Sequence, residues 1–286
     1  MKETLFSTYF LDRWRQPAEI SPDGVRYLYL AEGNRTVFPF QHRWLIPKIC
    51  KTEIFRWRVV TDICSLLLIP LIGVILFLHE ASLVACISGA LSITGLAGIF
   101  TFNRKYPILV DAPAFMLLLL SYIFFLLGGY WYWGFLGLSI LSGCIKESGP
   151  LYLIGLTLDP FAAVGFLSPL LIKIFIKEGE NPDSVKHLPG IDGSLSYVAG
   201  MRTWRNPKQL LLPWGGLVSA ALFPSTQLLV SLFLGYAPMI KVTDTVRIFQ
   251  WASPAVIIAV FTNIPDYACL PLLLTTIFNP YRSNGG

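Results

Sequence analysis

The amino-acid sequence predicts an all-α protein, a polytopic bundle of about eight transmembrane helices that follow an interfacial N-terminal segment. Three observations indicate this fold class. First, 54% of the 286 residues are hydrophobic and only 14% are charged, whereas about a quarter of a soluble domain is charged. Second, the mean hydropathy is +0.61. Third, apolar runs recur between about residues 57 and 279, several of them near the roughly 20 residues that cross a bilayer.

Residues 1–56 form the predicted N-terminal segment because they are polar and aromatic rather than continuously apolar. SPDG (21–24) predicts a turn, and YLYLAEG (27–33) predicts one or two turns of amphipathic helix at an interface. Aromatic residues prefer the headgroup level of a membrane. We expect that position for Trp14, Tyr27, Tyr29, Trp44 and Trp57.

Residues 57–286 form the predicted transmembrane helical domain, with one long polar loop at 177–208. Its fifth apolar span, 150–176, contains Asp159-Pro160 near the middle, which predicts a kink or break. An acid at a broken helix fits a coupling-ion site of a transporter. A structural role is the second interpretation, in which the acid is buried and hydrogen-bonded at the kink, or a re-entrant bend places it near a surface. We favour this structural role.

Eight crossings sort the loops into two sets, because each crossing changes sides. The first side would hold residues 1–56, 102–110, 146–148, 236–247 and the C-terminus. The second side would hold residues 79–80, 128–134, 177–208 and 263–266. Most of the 22 Lys and Arg fall on the first side, and the positive-inside rule places that side in the cytoplasm.

The first side also collects ionisable residues at span ends. They are Asp23, Asp111, Lys146, Glu147, Asp244 and Arg247. A charge at membrane depth costs several kcal/mol unless it is paired or solvated, so such residues often mark functional sites. A single charge at a span end can simply reach water. Convergence of several acids and bases on one side favours the functional interpretation.

Other classes of function lack their residues. GxSxG, HExxH, Walker A and GxGxxG patterns are missing from suitable contexts. His42, His79 and His187 are scattered, so no histidine metal site is predicted. The net charge of +5 suits anionic lipids or a phosphate-bearing ligand better than nucleic acid. The five Cys are predicted to pack as small apolar residues.

Four stretches occur together in a recognisable order: SPDGVRYLYLAEG (21–33), HRWLIPKI (42–49), YPILVDAPAFMLLLL (106–120) and GCIKESGPLYLI (143–154). The chain in this respect resembles GT-C-type membrane glycosyltransferases. The matching residues are Asp23, Tyr27, Gly33, Asp111, Lys146 and Glu147. Residues 106–280 more closely resemble uncharacterised bacterial and phage integral membrane proteins, through LLPWG (211–215) and DTVRIFQWASP (244–254).

The resemblance implies a GT-C-like core that transfers a sugar from a polyprenyl-phosphate donor bound at the first side. Asp23 is then the candidate general base for an unknown acceptor. Asp111 and Glu147 would orient the acceptor, the sugar or a divalent metal ion, although no cofactor follows from the residues themselves. The phosphate would be contacted by Lys146 or Arg247, with Arg26 and Arg43 as further candidates and Tyr27 and Asp244 in the same mouth.

In GT-C enzymes this side faces away from the cytoplasm, which opposes the Lys and Arg count. Two other classes of function stay open from the sequence. One is a non-enzymatic polytopic protein, a scaffold or small transporter, and the other is a protein that binds or flips polyprenol lipids. Each shares the same expected partner, a lipid bilayer, which we expect to be a bacterial plasma membrane.

Overall fold

The computed structural model describes residues 19–180, 182–185, 211–236 and 249–280. Within these ranges the chain is helical and contains no strand, which confirms the all-α class. Two short helices begin the described chain, α1 (Pro22–Ala31) and α2 (Leu45–Cys50), with a 3-10 turn at Phe40–His42 between them.

Ten α-helices and four 3-10 segments follow in the described chain. They are α3 (Ile54–Leu78), α4 (Leu83–Ser92), a 3-10 turn (Ile93–Gly95), a π-helical turn (Ala97–Thr101), α5 (Phe102–Lys105), α6 (Asp111–Leu127), α7 (Trp131–Ile145), α8 (Ser148–Thr157), a 3-10 segment (Pro160–Phe166), α9 (Leu167–Phe175), 3-10 segments at Asp183–Val185 and Leu212–Leu222, α10 (Thr226–Tyr236), α11 (Ser253–Phe261) and α12 (Asp266–Ile277).

Within the described ranges, one unbroken helix is long and apolar enough to cross a bilayer. This helix is α3, which has 25 residues. A second candidate span is a pair of helical segments, Leu83–Gly95 and Ala97–Lys105. The two segments meet at a bend of 66°, and they are long enough only when they are counted together as one span. Six further apolar helical segments of the described chain have 10–17 residues, and the apolar α11 has 9. The helical architecture is therefore confirmed, whereas the eight spans stay a prediction.

The predicted fifth span is a helical hairpin rather than one crossing. Helix α8 ends at Thr157, and Leu158 adopts a left-handed conformation with a φ of 55°. Asp159 then caps the 3-10 segment by accepting a hydrogen bond from the Phe161 backbone N–H at 2.8 Å. The predicted break is confirmed. This carboxyl also accepts from the Tyr132 hydroxyl at 2.8 Å, so Asp159 is hydrogen-bonded at the break, as we favoured.

The returning half of the hairpin runs back along α7. Ser139 Oγ donates to the Ala162 carbonyl at 2.8 Å. Further along, the backbones of Gly143 and Gly165 approach so closely that a Cβ on Gly143 would lie 1.8 Å from the Gly165 carbonyl oxygen. Glycine is required there because no side chain fits between the two segments.

This hairpin brings the beginning of the 177–208 loop back to the N-terminal segment. Gln41 Nε2 donates to the Lys177 carbonyl at 2.9 Å, and the Gly179 N–H donates to the Thr36 carbonyl at 3.1 Å. The assignment of that loop to the side opposite residues 1–56 is therefore wrong for its first residues. The error follows from counting residues 150–176 as one crossing when the chain traverses the bundle twice.

Two predictions for the N-terminal segment are also corrected. SPDG begins α1 instead of forming a turn: Ser21 is the N-cap and accepts from the Gly24 N–H at 3.1 Å, and Pro22 is the first helical residue. Tyr27 and Trp57 lie in the core with 1% and 0% exposure, so they are not at a headgroup surface. The five cysteines are all buried, as predicted for packing residues.

Candidate functional site

Eight polar side chains from four parts of the chain meet at one end of the helical bundle. Helix α1 contributes three of them, and His42 and Arg43 contribute two more at the end of the Phe40–His42 turn. The other three come from the first residue of α6 and from the connection between α7 and α8. We call this group the charged cluster, and its members are Asp23, Arg26, Tyr27, His42, Arg43, Asp111, Lys146 and Glu147.

The Lys146-Glu147 pair sits where the backbone leaves α7. Lys146 is extended, with φ −162° and ψ 130°. Glu147, the next residue, has helical dihedrals, with φ −61° and ψ −21°, so the chain turns between the two side chains. The two charges consequently have different partners, and this explains why they are neighbours in an otherwise apolar stretch.

Lys146 points into the bundle. Its Nζ donates to Asp111 Oδ1 at 2.5 Å, and both side chains are buried, with 6% and 3% exposure. Asp111 is the first residue of α6, where the helix dipole favours an acid. The ammonium also lies 5.4 Å from the centre of the Trp251 ring, within the range of a cation–π contact.

Glu147 points toward the N-terminal segment. Arg43 contacts both of its oxygens, through Nε at 2.9 Å and through Nη2, which is the bidentate geometry that arginine favours with carboxylates. His42 Nε2 lies 2.8 Å from the same carboxylate. Partial burial works against ionisation, but Arg43 and His42 hold the pKa of the Glu147 carboxyl well below its usual range.

Tyr27 connects this ion pair to the rest of the cluster. Arg43 Nη1 donates to the Tyr27 hydroxyl oxygen at 2.9 Å. Burial raises the pKa of the Tyr27 phenol, Arg43 opposes the rise, and the charges of Asp23 and Asp111 add to it. The phenol therefore stays protonated at neutral pH and can donate its own proton in a hydrogen bond.

Asp23 and Arg26 form the ion pair that α1 contributes to the cluster. They are one turn apart on α1, and Arg26 Nη1 donates to Asp23 Oδ1 at 3.1 Å. The Asp23 side chain is 33% exposed, whereas that of Arg26 is 6% exposed. The guanidinium groups of Arg26 and Arg43 lie 4.8 and 5.3 Å from the Phe40 ring centre. The aromatic ring thus holds two cations close together.

The structure brings together seven of the nine predicted site residues. They are Asp23, Arg26, Tyr27, Arg43, Asp111, Lys146 and Glu147. The other two, Asp244 and Arg247, lie outside the described residues. Among the parts of the chain that the structure describes, no three His, Cys, Asp or Glu side chains are grouped to hold a metal ion.

Sequence reasoning missed His42, Phe40 and Trp251. His42 was counted as one of three scattered histidines, yet it binds Glu147. The nearest signal is its position beside Arg43 in HRWLIPKI (42–49). No local pattern identifies Phe40 or Trp251, because their role depends on cations that are distant in sequence.

No protein-family model matches the chain, and neither a curated protein nor a solved structure matches it.

Proposed function

We propose that this protein is embedded in a membrane and transfers a sugar from a polyprenyl-phosphate donor at the charged cluster. The observation that carries the proposal is the convergence of three acids and three cations from separate elements at one end of the bundle. A GT-C-like reaction needs these groups: a carboxylate to accept a proton, and cations to neutralise a leaving phosphate.

Membrane embedding is supported by α3, whose 25 residues exceed the roughly 20 that a span needs. It is also supported by large apolar side chains on the outer surface of the helices. Phe77, Leu83, Trp133, Phe233 and Phe278 are each 66% or more exposed. Soluble monomers rarely expose large contiguous apolar patches, whereas lipid tails favour such side chains.

The proposed reaction replaces one bond to the anomeric carbon of the sugar by another. An acceptor hydroxyl or amine attacks that carbon, and its proton passes to the Asp23 carboxylate, whose side chain is 33% exposed, against 3% for Asp111. The bond between the anomeric carbon and the phosphate oxygen breaks, and polyprenyl phosphate leaves with the electron pair. Arg26, Arg43 and Lys146 supply the positive charge near this leaving group.

Release of polyprenyl phosphate tests the proposal even though the acceptor is unknown. The full chain would be reconstituted in liposomes with a panel of polyprenyl-phosphate sugars and a crude acceptor extract, and the product measured by mass spectrometry. Asp23→Asn should reduce release at least about 100-fold because the general base is lost. Donor binding should change by less than about threefold, since Asn keeps the shape of the side chain.

Asp266→Asn provides a matched control. Asp266 is also an acid in the first turn of its helix, but it lies at the other end of the bundle, where it accepts from Ser82. Release should stay within about twofold of wild type. Unchanged release by Asp23→Asn would remove Asp23 from the role of base.

A polyprenol-lipid binder without transferase activity is the second candidate. The pairing of charges in the cluster favours this candidate. Asp111 and Glu147 are ion-paired with Lys146 and Arg43, and a carboxylate that is held in an ion pair is less able to accept a proton from an acceptor. Such a protein would bind the donor with the same dependence on its cations. In that case wild type would retain polyprenyl-phosphate sugars and release no polyprenyl phosphate from any member of the panel.

A further inference from the structure

An open depression of about 440 Å³ lies between the end of α1 and α2, apart from the charged cluster. Its lining includes Leu30, Gly33, Asn34, Trp44, Lys48 and Lys51. We call it the lysine pocket. We propose that the lysine pocket binds the phosphate of an anionic lipid headgroup. This inference rests on the proposed membrane location and is independent of sugar transfer.

Two ammonium groups give the pocket its charge. Lys48 is in the last turn of α2, Lys51 is the residue that follows the helix, and both line the pocket. Within the described chain, neither lysine has a carboxylate at ion-pair distance. Glu32 accepts from Asn34 Nδ2 at 3.2 Å and does not line the pocket. The pocket therefore offers two positive charges that an anion can neutralise.

The backbone at Lys51 favours glycine, yet the chain has lysine there. Lys51 has a φ of 53° and a ψ of −150°, in a region where any residue with a side chain is strained. Trp57 Nε1 donates to the Lys51 carbonyl at 2.8 Å, and the Lys51 N–H donates to the Pro47 carbonyl at 2.8 Å. These bonds hold the backbone of Lys51 in the strained conformation, and strained residues cluster at binding sites.

Neighbouring apolar groups indicate a lipid rather than a free anion. The Lys48 ammonium lies 5.6 Å from the Trp44 ring centre, and tryptophan prefers the headgroup level of a bilayer. Ile49, between the two lysines in the sequence, is 53% exposed. Leu30 adds an apolar wall. A phosphate attached to a diacylglycerol would meet the ammonium groups while its apolar part meets these side chains.

The test uses the full chain purified in neutral detergent, with native mass spectrometry to measure binding of dioleoyl phosphatidylglycerol and phosphatidylcholine. Phosphatidylglycerol should bind more tightly than phosphatidylcholine, whose phosphate is internally neutralised. Lys48→Gln and Lys51→Gln should each weaken phosphatidylglycerol binding about fivefold, and the double variant about 25-fold. Binding of phosphatidylcholine should be unchanged.

Two further variants separate charge from folding. Lys51→Gly removes the same ammonium and relieves the backbone strain, so its thermal midpoint should equal or exceed that of wild type while phosphatidylglycerol binding falls about fivefold. Lys173→Gln is the matched control, because Lys173 is also in the last turn of a helix near the N-terminal segment, 5.0 Å from the Phe38 ring. It should change binding by less than about twofold.

Two outcomes would overturn the proposal. One is equal phosphatidylglycerol affinity in wild type and the double variant. The other is full competition by inorganic phosphate at an affinity equal to that of the lipid, which would assign the pocket to a soluble anion. Flotation of the wild type with neutral vesicles reports membrane insertion separately. A chain that fails to float refutes the membrane location, whereas a chain that floats and gives either of the two binding results above refutes only the pocket.

Discussion

The two ends of the helical bundle use similar polar residues in different ways. In the charged cluster, carboxylates meet cations from distant parts of the sequence, as Glu147 meets Arg43. At the opposite end, Asp159 accepts from the Tyr132 hydroxyl and from a backbone N–H two residues away. Asp266 accepts from the Ser82 hydroxyl. Neither Asp159 nor Asp266 has a Lys or Arg at ion-pair distance within the described chain.

This difference separates structural acids from candidate functional ones. An acid that caps a helix needs only neutral donors, and an amide can replace it at small cost. An acid that balances a buried cation cannot be neutralised without leaving that cation uncompensated. Charge-removing substitutions should therefore have large effects at the charged cluster and small effects at the opposite end.

Lys146→Met should have the largest effect on stability. It removes the ammonium that contacts the buried Asp111 carboxylate at 2.5 Å, and breaking a buried ion pair from one side costs about 3–5 kcal/mol. The measurement is the free energy of unfolding in detergent, from denaturant titration. Adding Asp111→Asn should recover about 1–2 kcal/mol because the buried charge is then removed as well. A double variant no more stable than Lys146→Met would contradict this account.

Glu147→Gln should have an intermediate effect. Arg43 would lose the charge of its bidentate partner while its own side chain stays 7% exposed. Because Glu147 is itself 33% exposed, water can compensate part of the loss, and we expect a cost of about 1–3 kcal/mol. Glu53→Gln is the control, since the Glu53–Arg56 pair is about half exposed and should contribute under about 1 kcal/mol.

The same carboxyl should make stability depend on pH. Its pKa is held well below the usual range in the folded protein, so it contributes stability above the unfolded value of about 4.3. That contribution should be lost as pH falls from about 4.3 toward the lower folded pKa. Thermal midpoints measured across this acid range should fall less steeply in Glu147→Gln than in wild type. Parallel curves would show that Glu147 does not contribute to the acid dependence.

Asp159→Asn should have the smallest effect, about 1 kcal/mol or less, because an amide oxygen can still accept from the Phe161 N–H and the Tyr132 hydroxyl. Sugar transfer should be unchanged, since this residue lies at the end away from the charged cluster. Unfolding and transfer assays on the same preparation check both expectations. Loss of ion-coupled uptake in this variant would instead support the transporter alternative.

Composition was enough to predict the helical class, and Asp159-Pro160 was enough to predict the break in residues 150–176. The direction of the chain after the break did not follow from the sequence, which left both a kinked crossing and a re-entrant bend open. It depends on the left-handed Leu158 and on the contact between Gly143 and Gly165, and the sequence pattern does not reveal which glycines meet. SPDG was misread because serine and proline favour both turns and helix starts.

Counting crossings grouped Asp23, Asp111, Lys146 and Glu147 on one side, and the structure also brings these residues to one end. Their individual pairings did not follow from that count. Arg43 and Glu147 are 104 residues apart, so their contact is fixed only when α7 and the N-terminal segment are packed together. His42 was missed for the same reason.

The helical hairpin at residues 148–175 returns the chain to the end of the bundle from which it started, so it changes which loops lie at the same end. The polypeptide leaves the charged cluster at Ser148 and is back beside Thr36 and Gln41 by Gly179. The two halves of the hairpin therefore produce no net change of side. An epitope inserted just after Lys177 and one inserted just before Asp23 must therefore report the same aqueous compartment. Compartment-specific reagents would read both positions alike, whichever way the protein is oriented.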